Sequence, residues 1–171
     1  MDATCEISIQ NPCRYPEGAA RRWRPWLESV VAQVAPRARS LAVRFVSDRE
    51  MRRLNLTFRR QDATTDVLSF PADLEGEAEG GAVVRETLPD WPEVGDPPHL
   101  GDIVISVPTA RRQAARQEHR TERELRTLLL HGLLHCLGHD HEIDDGRMEK
   151  EERVLRRRWL DHAPPTAGAA P

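Results

Sequence analysis

Short β-branched runs, longer stretches with apolar residues at helical spacing, and no strict alternation between the two predict an α+β fold. The expected architecture is a small, mostly mixed β-sheet of about four strands flanked by helices. A chain of 171 residues suits one domain with a sizeable core.

The first strand is weak: "ATCEISIQ" alternates around Cys5, Ile7 and Ile9. "AARRWRPWLESVVAQVA" places Trp23, Trp26, Leu27, Val30, Val31 and Val34 at helical spacing, with Pro25 expected in the first turn. "SLAVRFVSD" reads as a strand with Leu41, Val43 and Phe45 on one face. Ser47 or Asp48 then caps a helix through "REMRRLNLTF". "DVLSFP" is a short strand closed by Pro71, and "LGDIVISV" a buried one. "PTARRQAARQEH" opens a helix on Pro108. "TERELRTLLLHGLLHCLG" opens the next with Thr121 and Glu124 in capping-box spacing and stops at Gly138. "GRMEKEERVLRRRWLDH" is a last charged helix anchored by Met148, Val154, Leu155 and Trp159. The single domain is expected over 1–160, with 72–98 an acidic, partly flexible loop and 161–171 a disordered tail.

Composition excludes several classes. No apolar run approaches the roughly 20 residues that cross a bilayer, and "MDATCEISIQ" lacks the basic start and apolar core of a secretory signal. Three cysteines without metal-finger spacing suit reduced thiols in a cytoplasmic protein. Net charge is −3, but segment 72–100 holds eight acidic residues against Arg85 alone, leaving the rest mildly basic. Such a body is compatible with RNA without demanding it.

The chemistry concentrates in "HGLLHCLGHDH", residues 131–141. His131 and His135 are four apart, so both imidazoles share one helix face about 6 Å apart along the axis. His139 continues that face at about 12 Å from His131 on a straight helix, where it cannot close a tetrahedron with the other two. Gly138 lets the chain turn back. His141 then becomes the third ligand of an H-x₃-H-x₅-H set, on a central helix and the turn after it. His139 is left as a wall, with Asp140 available to orient a ligand. Three neutral ligands leave a fourth corner open, as in catalytic zinc sites. Histidine nitrogen favours Zn2+, one per chain, and also suits other divalent transition metals. The spacing equals that of the metzincin proteases, except that Gly132 stands where their general-base Glu would be. Peptidase activity is therefore not expected.

"HGLLHCLGHDH", preceded by "FRRQDATTDVLSFP" and "LGDIVISV" in that order, resembles the YbeY family of bacterial endoribonucleases, the ribosomal-RNA maturation factors. Matches run from about Leu41 to Met148. The departures are His139 for the usual aromatic, Thr64 where proline is common, and a longer, more acidic loop. The resemblance implies a zinc-dependent hydrolase of single-stranded RNA, acting in small-subunit rRNA maturation and ribosome quality control. Implied partners are rRNA and the small subunit or its proteins, with neither DNA nor membrane. It also implies metal ligation by His131, His135 and His141, and a catalytic role for Arg59 beside His131.

From the residues alone, Arg59 would sooner be a helix-end cation pairing with Asp62 or Asp66, although an arginine fork suits phosphate. Asp66, Ser69 and Asp102 flank strands and suit turns or caps as well as the cleft. Arg111, Arg112 and Arg116 suit an RNA backbone or a solvated face. Two alternatives stand: a metallohydrolase of another substrate, and a non-catalytic ribosome-assembly factor with a structural metal.

Overall fold

The computed structural model describes residues 5–72, 99–138 and 147–161. Residues 1–4, segment 73–98, the segment carrying His139, Asp140 and His141, and residues 162–171 lie outside them. The expected acidic loop and terminal tail fall there, as does the side chain of Met148. In chain order come β1 (Glu6–Gln10), α1 (Ala20–Val34), β2 (Ser40–Val46), α2 (Asp48–Arg59), β3 (Val67–Pro71), β4 (His99–Ser106), α3 (Val107–Arg116), α4 (Thr121–Cys136) and α5 (Arg147–Arg156). A π-helical turn, Arg157–Asp161, continues α5. The expected α+β class holds. The sheet is four-stranded in the order β1-β2-β4-β3, parallel except for β3, which runs antiparallel to β4 at one edge.

The two sheet faces carry separate cores. Along β4, Ile103 and Ile105 join a large cluster with Trp23, Leu27, Val30 and Val31 of α1 and Leu125, Leu129 and Leu133 of α4. Val104, between them, turns to the other face and packs with Met51 and Leu54 of α2 and Leu68 of β3. Being covered on both faces, β4 is buried at all its residues and β2 at nearly all. The expected apolar face of Leu41, Val43 and Phe45 is thus only half of what β2 buries.

Glycines set how closely these layers approach. A Cβ at Gly132 of α4 would stand 2.8 Å from Ile103 and 3.0 Å from Ser69 Oγ, so α4 lies directly on β3 and β4. Gly101 has φ +147°, and a Cβ there would meet the Phe70 carbonyl at 2.6 Å and Cys136 Sγ at 2.7 Å. It marks the register shift where β4 carries one residue more than β2 between the Ser40–His99 and Ala42–Asp102 pairs. A polar cluster is buried there: His99 bonds Ser40 Oγ through Nδ1 at 2.8 Å and Asp102 through Nε2 at 3.1 Å. Asp102 therefore fastens His99 inside the sheet rather than capping a turn.

Several expectations need correction. Pro25 lies in the second turn of α1, not the first. Ser47 does cap α2, its Oγ accepting from Glu50 N–H. At α4 the cap is Arg120, without a side-chain bond; Thr121 is the first helical residue, and Glu124 is buried beside His119 instead of closing a capping box. In α5, Leu155 is buried as expected, but Val154 is 64% exposed. Its neighbour Glu152 is turned inward instead.

Candidate active site

The helix α4 stops where glycine permits. Its backbone closes on Leu137, and Gly138 follows with φ +88°. One turn before that end, His135 Nε2 stands 3.1 Å from His131 Nε2, with the rings 4.6 Å apart and nearly perpendicular. Two nitrogens at Zn–N distances of 2.0–2.1 Å around a tetrahedral ion stand about 3.3 Å apart. The pair is therefore spaced as two ligands of one cation. Among the described residues no third His, Cys, Asp or Glu completes a metal-binding group; the expected third ligand, His141, lies outside them, as do His139 and Asp140.

Sequence reasoning misses the carboxylate behind this pair. Glu152 of α5 is buried, and its Oε2 stands 3.5 Å from His131 Nδ1. Arg156 one turn on donates to Glu152 Oε1 at 2.6 Å. His131 beside it, together with Arg156, holds the Glu152 carboxyl below its usual range despite burial. A carboxylate facing Nδ1 favours a proton there and leaves the Nε2 lone pair pointing at His135, which is how ligand histidines are oriented. Helical periodicity does not reveal it, since it puts Val154 rather than Glu152 on the inner face of α5.

A cavity of about 480 Å³ opens beside His131 and runs along α3, α4 and α5. Asp66 reaches it, bonded to the Val67 N–H at 2.7 Å and to Gln113 Nε2 at 2.9 Å. On the far wall His119 Nε2 stands 3.0 Å from Glu124 Oε2. Burial pushes the Glu124 carboxyl up; His119 and Arg156 oppose that shift and Asp66 adds to it.

The remaining expected residues divide. Ser69 touches the Gly132 backbone position, directly beside His131. Arg59 ends α2, on the sheet face away from α4, and no described contact joins it to the histidines. Its suspected acidic partners are taken: Asp62 receives Arg52 in two bonds of 2.7 Å, and Asp66 receives Gln113. Arg111 forks onto Glu17 at 2.8 Å and lies over the Tyr15 ring, and Arg112 reaches Asp48 at 2.8 Å. Neither lines the cavity.

The model of the family described as "Endoribonuclease YbeY" matches residues 9–159. The chain belongs to that family. It is 41% identical over 128 residues to an "Endoribonuclease YbeY" of Geobacillus thermodenitrificans, covering 75% of this chain and 73% of the relative. To the Synechococcus elongatus YbeY it is 35% identical over 187 residues, covering 96% and 98%. A solution structure of a Thermotoga maritima protein shares the fold, with a TM-score of 0.57 at 23% identity over 96% of this chain and 99% of that one. The family match reaches across α5, so the helix that brings Glu152 to His131 is part of what it covers.

Proposed function

We propose that this YbeY-family chain is a metal-dependent endoribonuclease that hydrolyses single-stranded RNA, in small-subunit rRNA maturation and ribosome quality control. The observation that carries the reading is the 3.1 Å convergence of the His131 and His135 Nε2 atoms. These two, with His141, would hold the cation, and zinc suits an all-imidazole set. When bound, such an ion supplies Lewis-acid chemistry, favouring ionisation of an attacking water near neutral pH.

The chain's own residues do the rest. Glu152 fixes the ring of His131, and His131 first, then Arg156, favour the ionised Glu152 carboxyl against its burial. Gly132 puts no carboxylate between the histidines, and a side chain there would run into Ile103 and Ser69 of the sheet; a proton acceptor must come from elsewhere. Arg59, exposed and with no acidic partner among the described residues, lies on the sheet face away from α4 and is assigned to a phosphate of the bound strand away from the histidines, which it can grip with two parallel N–H donors. Arg111 and Arg112 are held by Glu17 and Asp48 and are assigned to the fold. Partners would be rRNA and the small subunit or its proteins. No described helix is long and apolar enough to cross a membrane, and a cytoplasmic site of action fits the proposed substrate.

The test is cleavage of a single-stranded RNA oligonucleotide by purified, nuclease-free protein, with elemental analysis of the same sample. Zinc at one per chain and loss of cleavage in His131→Ala are expected. Cleavage that survives His131→Ala unchanged overturns the proposal.

A further inference from the structure

The cavity beside His131 carries a cation that its protein partner does not saturate. Glu152 of α5 faces His131, while Arg156, four residues on, acts on Glu124, seven residues before His131, and lines the same cavity. The helix α5 therefore runs back along α4, away from the level of the two ligand histidines. Four helical residues advance about 6 Å. One carboxylate and one imidazole ring thus separate the Arg156 guanidinium from the cation position. That is the place of the next phosphate along a strand, not of the one undergoing reaction.

Among the described residues Arg156 makes one hydrogen bond, from Nη2 to Glu152 Oε1 at 2.6 Å. Its side chain is 48% exposed, and a guanidinium has five N–H donors in a planar fork. Arg52 and Arg111 show the contrast: each commits Nε and Nη2 together to one carboxylate, Asp62 and Glu17. Arg156 gives a single arm and keeps the rest of the fork. The cavity's carboxylates are engaged instead. Asp66 accepts from Val67 N–H, Thr65 Oγ1 and Gln113 Nε2, and the buried Glu124 stands 3.0 Å from His119 Nε2. Open donors beside occupied acceptors suit an anion. Arg123 adds a second guanidinium to the lining.

We infer that Arg156 binds the phosphate adjoining the scissile one in a single-stranded RNA, gripping its two non-bridging oxygens with N–H donors. The strand then leaves the histidine pair along the cavity between α4 and α5. Calling that phosphate the neighbour of a scissile one rests on the endoribonuclease reading; the phosphate contact does not.

The experiment follows binding of a labelled single-stranded RNA decamer to the full-length protein at saturating zinc. Stopped-flow anisotropy reads it before cleavage, over a range of salt. One phosphate contact contributes about 0.7 to the slope of log K against log salt on a single strand. Arg156→Gln should lower the slope by that amount and weaken binding about tenfold at low salt. Arg153→Gln, an exposed arginine of the same helix that pairs with Glu149 and does not line the cavity, should leave the slope unchanged. An unchanged slope in folded Arg156→Gln, or an equal fall in Arg153→Gln, overturns the site. Wild type supplies an independent decision. A trinucleotide with one linkage neutralised as a methylphosphonate should bind several-fold more weakly than the all-phosphate form, and Arg156→Gln should not tell the two apart. Indifference of wild type overturns the site whether or not the variant folds. Selective trinucleotide binding without cleavage of any RNA removes the nuclease and keeps the phosphate contact; cleavage with wild-type indifference does the reverse.

Discussion

The two polar sides of helix α3 are built on opposite terms. On one, Arg111 and Arg112 meet Glu17 and Asp48 in matched pairs, and Asp48 also accepts from Ser106 Oγ at 2.6 Å and Thr109 Oγ1 at 2.8 Å. On the other, Gln113 has a side-chain carbonyl without a hydrogen-bond partner among the described residues, and nearby in the same cavity lining Glu124 of α4 sits buried with its carboxyl pushed up. Both sides carry polar and charged groups. Only the second opens onto the cavity that contains His131. Polar groups that close a fold can satisfy one another completely, whereas groups that receive a ligand must keep capacity in reserve. Density of charge therefore says little about function, and unused hydrogen-bonding capacity says more.

The most severe way to break this contrast is to remove a ligand histidine. His135 is partly exposed, so His135→Ala should alter stability by no more than about 1 kcal/mol. RNA cleavage should nevertheless fall by more than the roughly 100-fold expected for losing an outer partner of a metal site. Thermal melts and initial rates on one preparation check both halves. A variant that unfolds together with its activity would mean that the metal holds the fold, as in a structural site.

Next in size is the carboxylate behind His131. Glu152→Gln keeps the shape and an acceptor but removes the charge that favours a proton on His131 Nδ1. Metal affinity should drop about 10–100-fold, read by competition with a chelator of known strength. Unchanged affinity would leave Glu152 as a partner of Arg156 alone.

How much of this is visible in the sequence depends on how local the cause is. The His131–His135 pair, the stop at Gly138 and the cap at Ser47 are each set within one or two turns, and all three stand where spacing puts them. Glu152 escapes notice because its inward turn is decided by the contact of α5 with α4, which no period within α5 announces. The exposure of Val154 has the same origin. The turn that carries His119 to Glu124 is hidden differently. Glu118 takes the left-handed conformation, φ 54°, where glycine would have been the visible signal, and His119 N–H closes back on the Ala114 carbonyl. Arg60 ends α2 in the same way, with φ 57°. Gly132 is legible as the loss of a protease's carboxylate; that it also lets α4 lie on Ile103 and Ser69 requires the sheet.

On the satisfied side of α3 the expected effect is on stability alone. Asp48→Ala removes the acceptor shared by Ser106, Thr109 and Arg112 and should cost about 1–2 kcal/mol in denaturant unfolding. Its kcat on RNA should stay within about twofold, since Asp48 lies outside the cavity. A fall in kcat at unchanged stability would instead make Arg112 part of the substrate path.

The smallest effect, and the sharpest on the comparison, is the sign of two pH dependences. Burial alone would raise the Asp48 carboxyl, but Arg112, Ser106 and Thr109 outweigh it and leave the group below its ordinary value. Its contribution is therefore complete above the ordinary aspartate value and is lost as pH falls through the lower folded one. Glu124 is shifted the other way, by burial first, with His119 and Arg156 opposing and Asp66 adding. A raised carboxyl favours the protonated form in the fold, so its contribution is complete below the ordinary glutamate value and is lost as pH rises through the higher folded one. Unfolding free energies of wild type, Asp48→Asn and Glu124→Gln from neutral pH down to below the ordinary aspartate value test this directly. Relative to wild type, Asp48→Asn should become less costly as the solution is acidified, because wild type is losing what the variant already lacks. Glu124→Gln should lose ground over the same range, because protonation gives wild type what the amide already had. Parallel curves would mean that the two sides of α3 do not differ in the way their hydrogen bonds indicate.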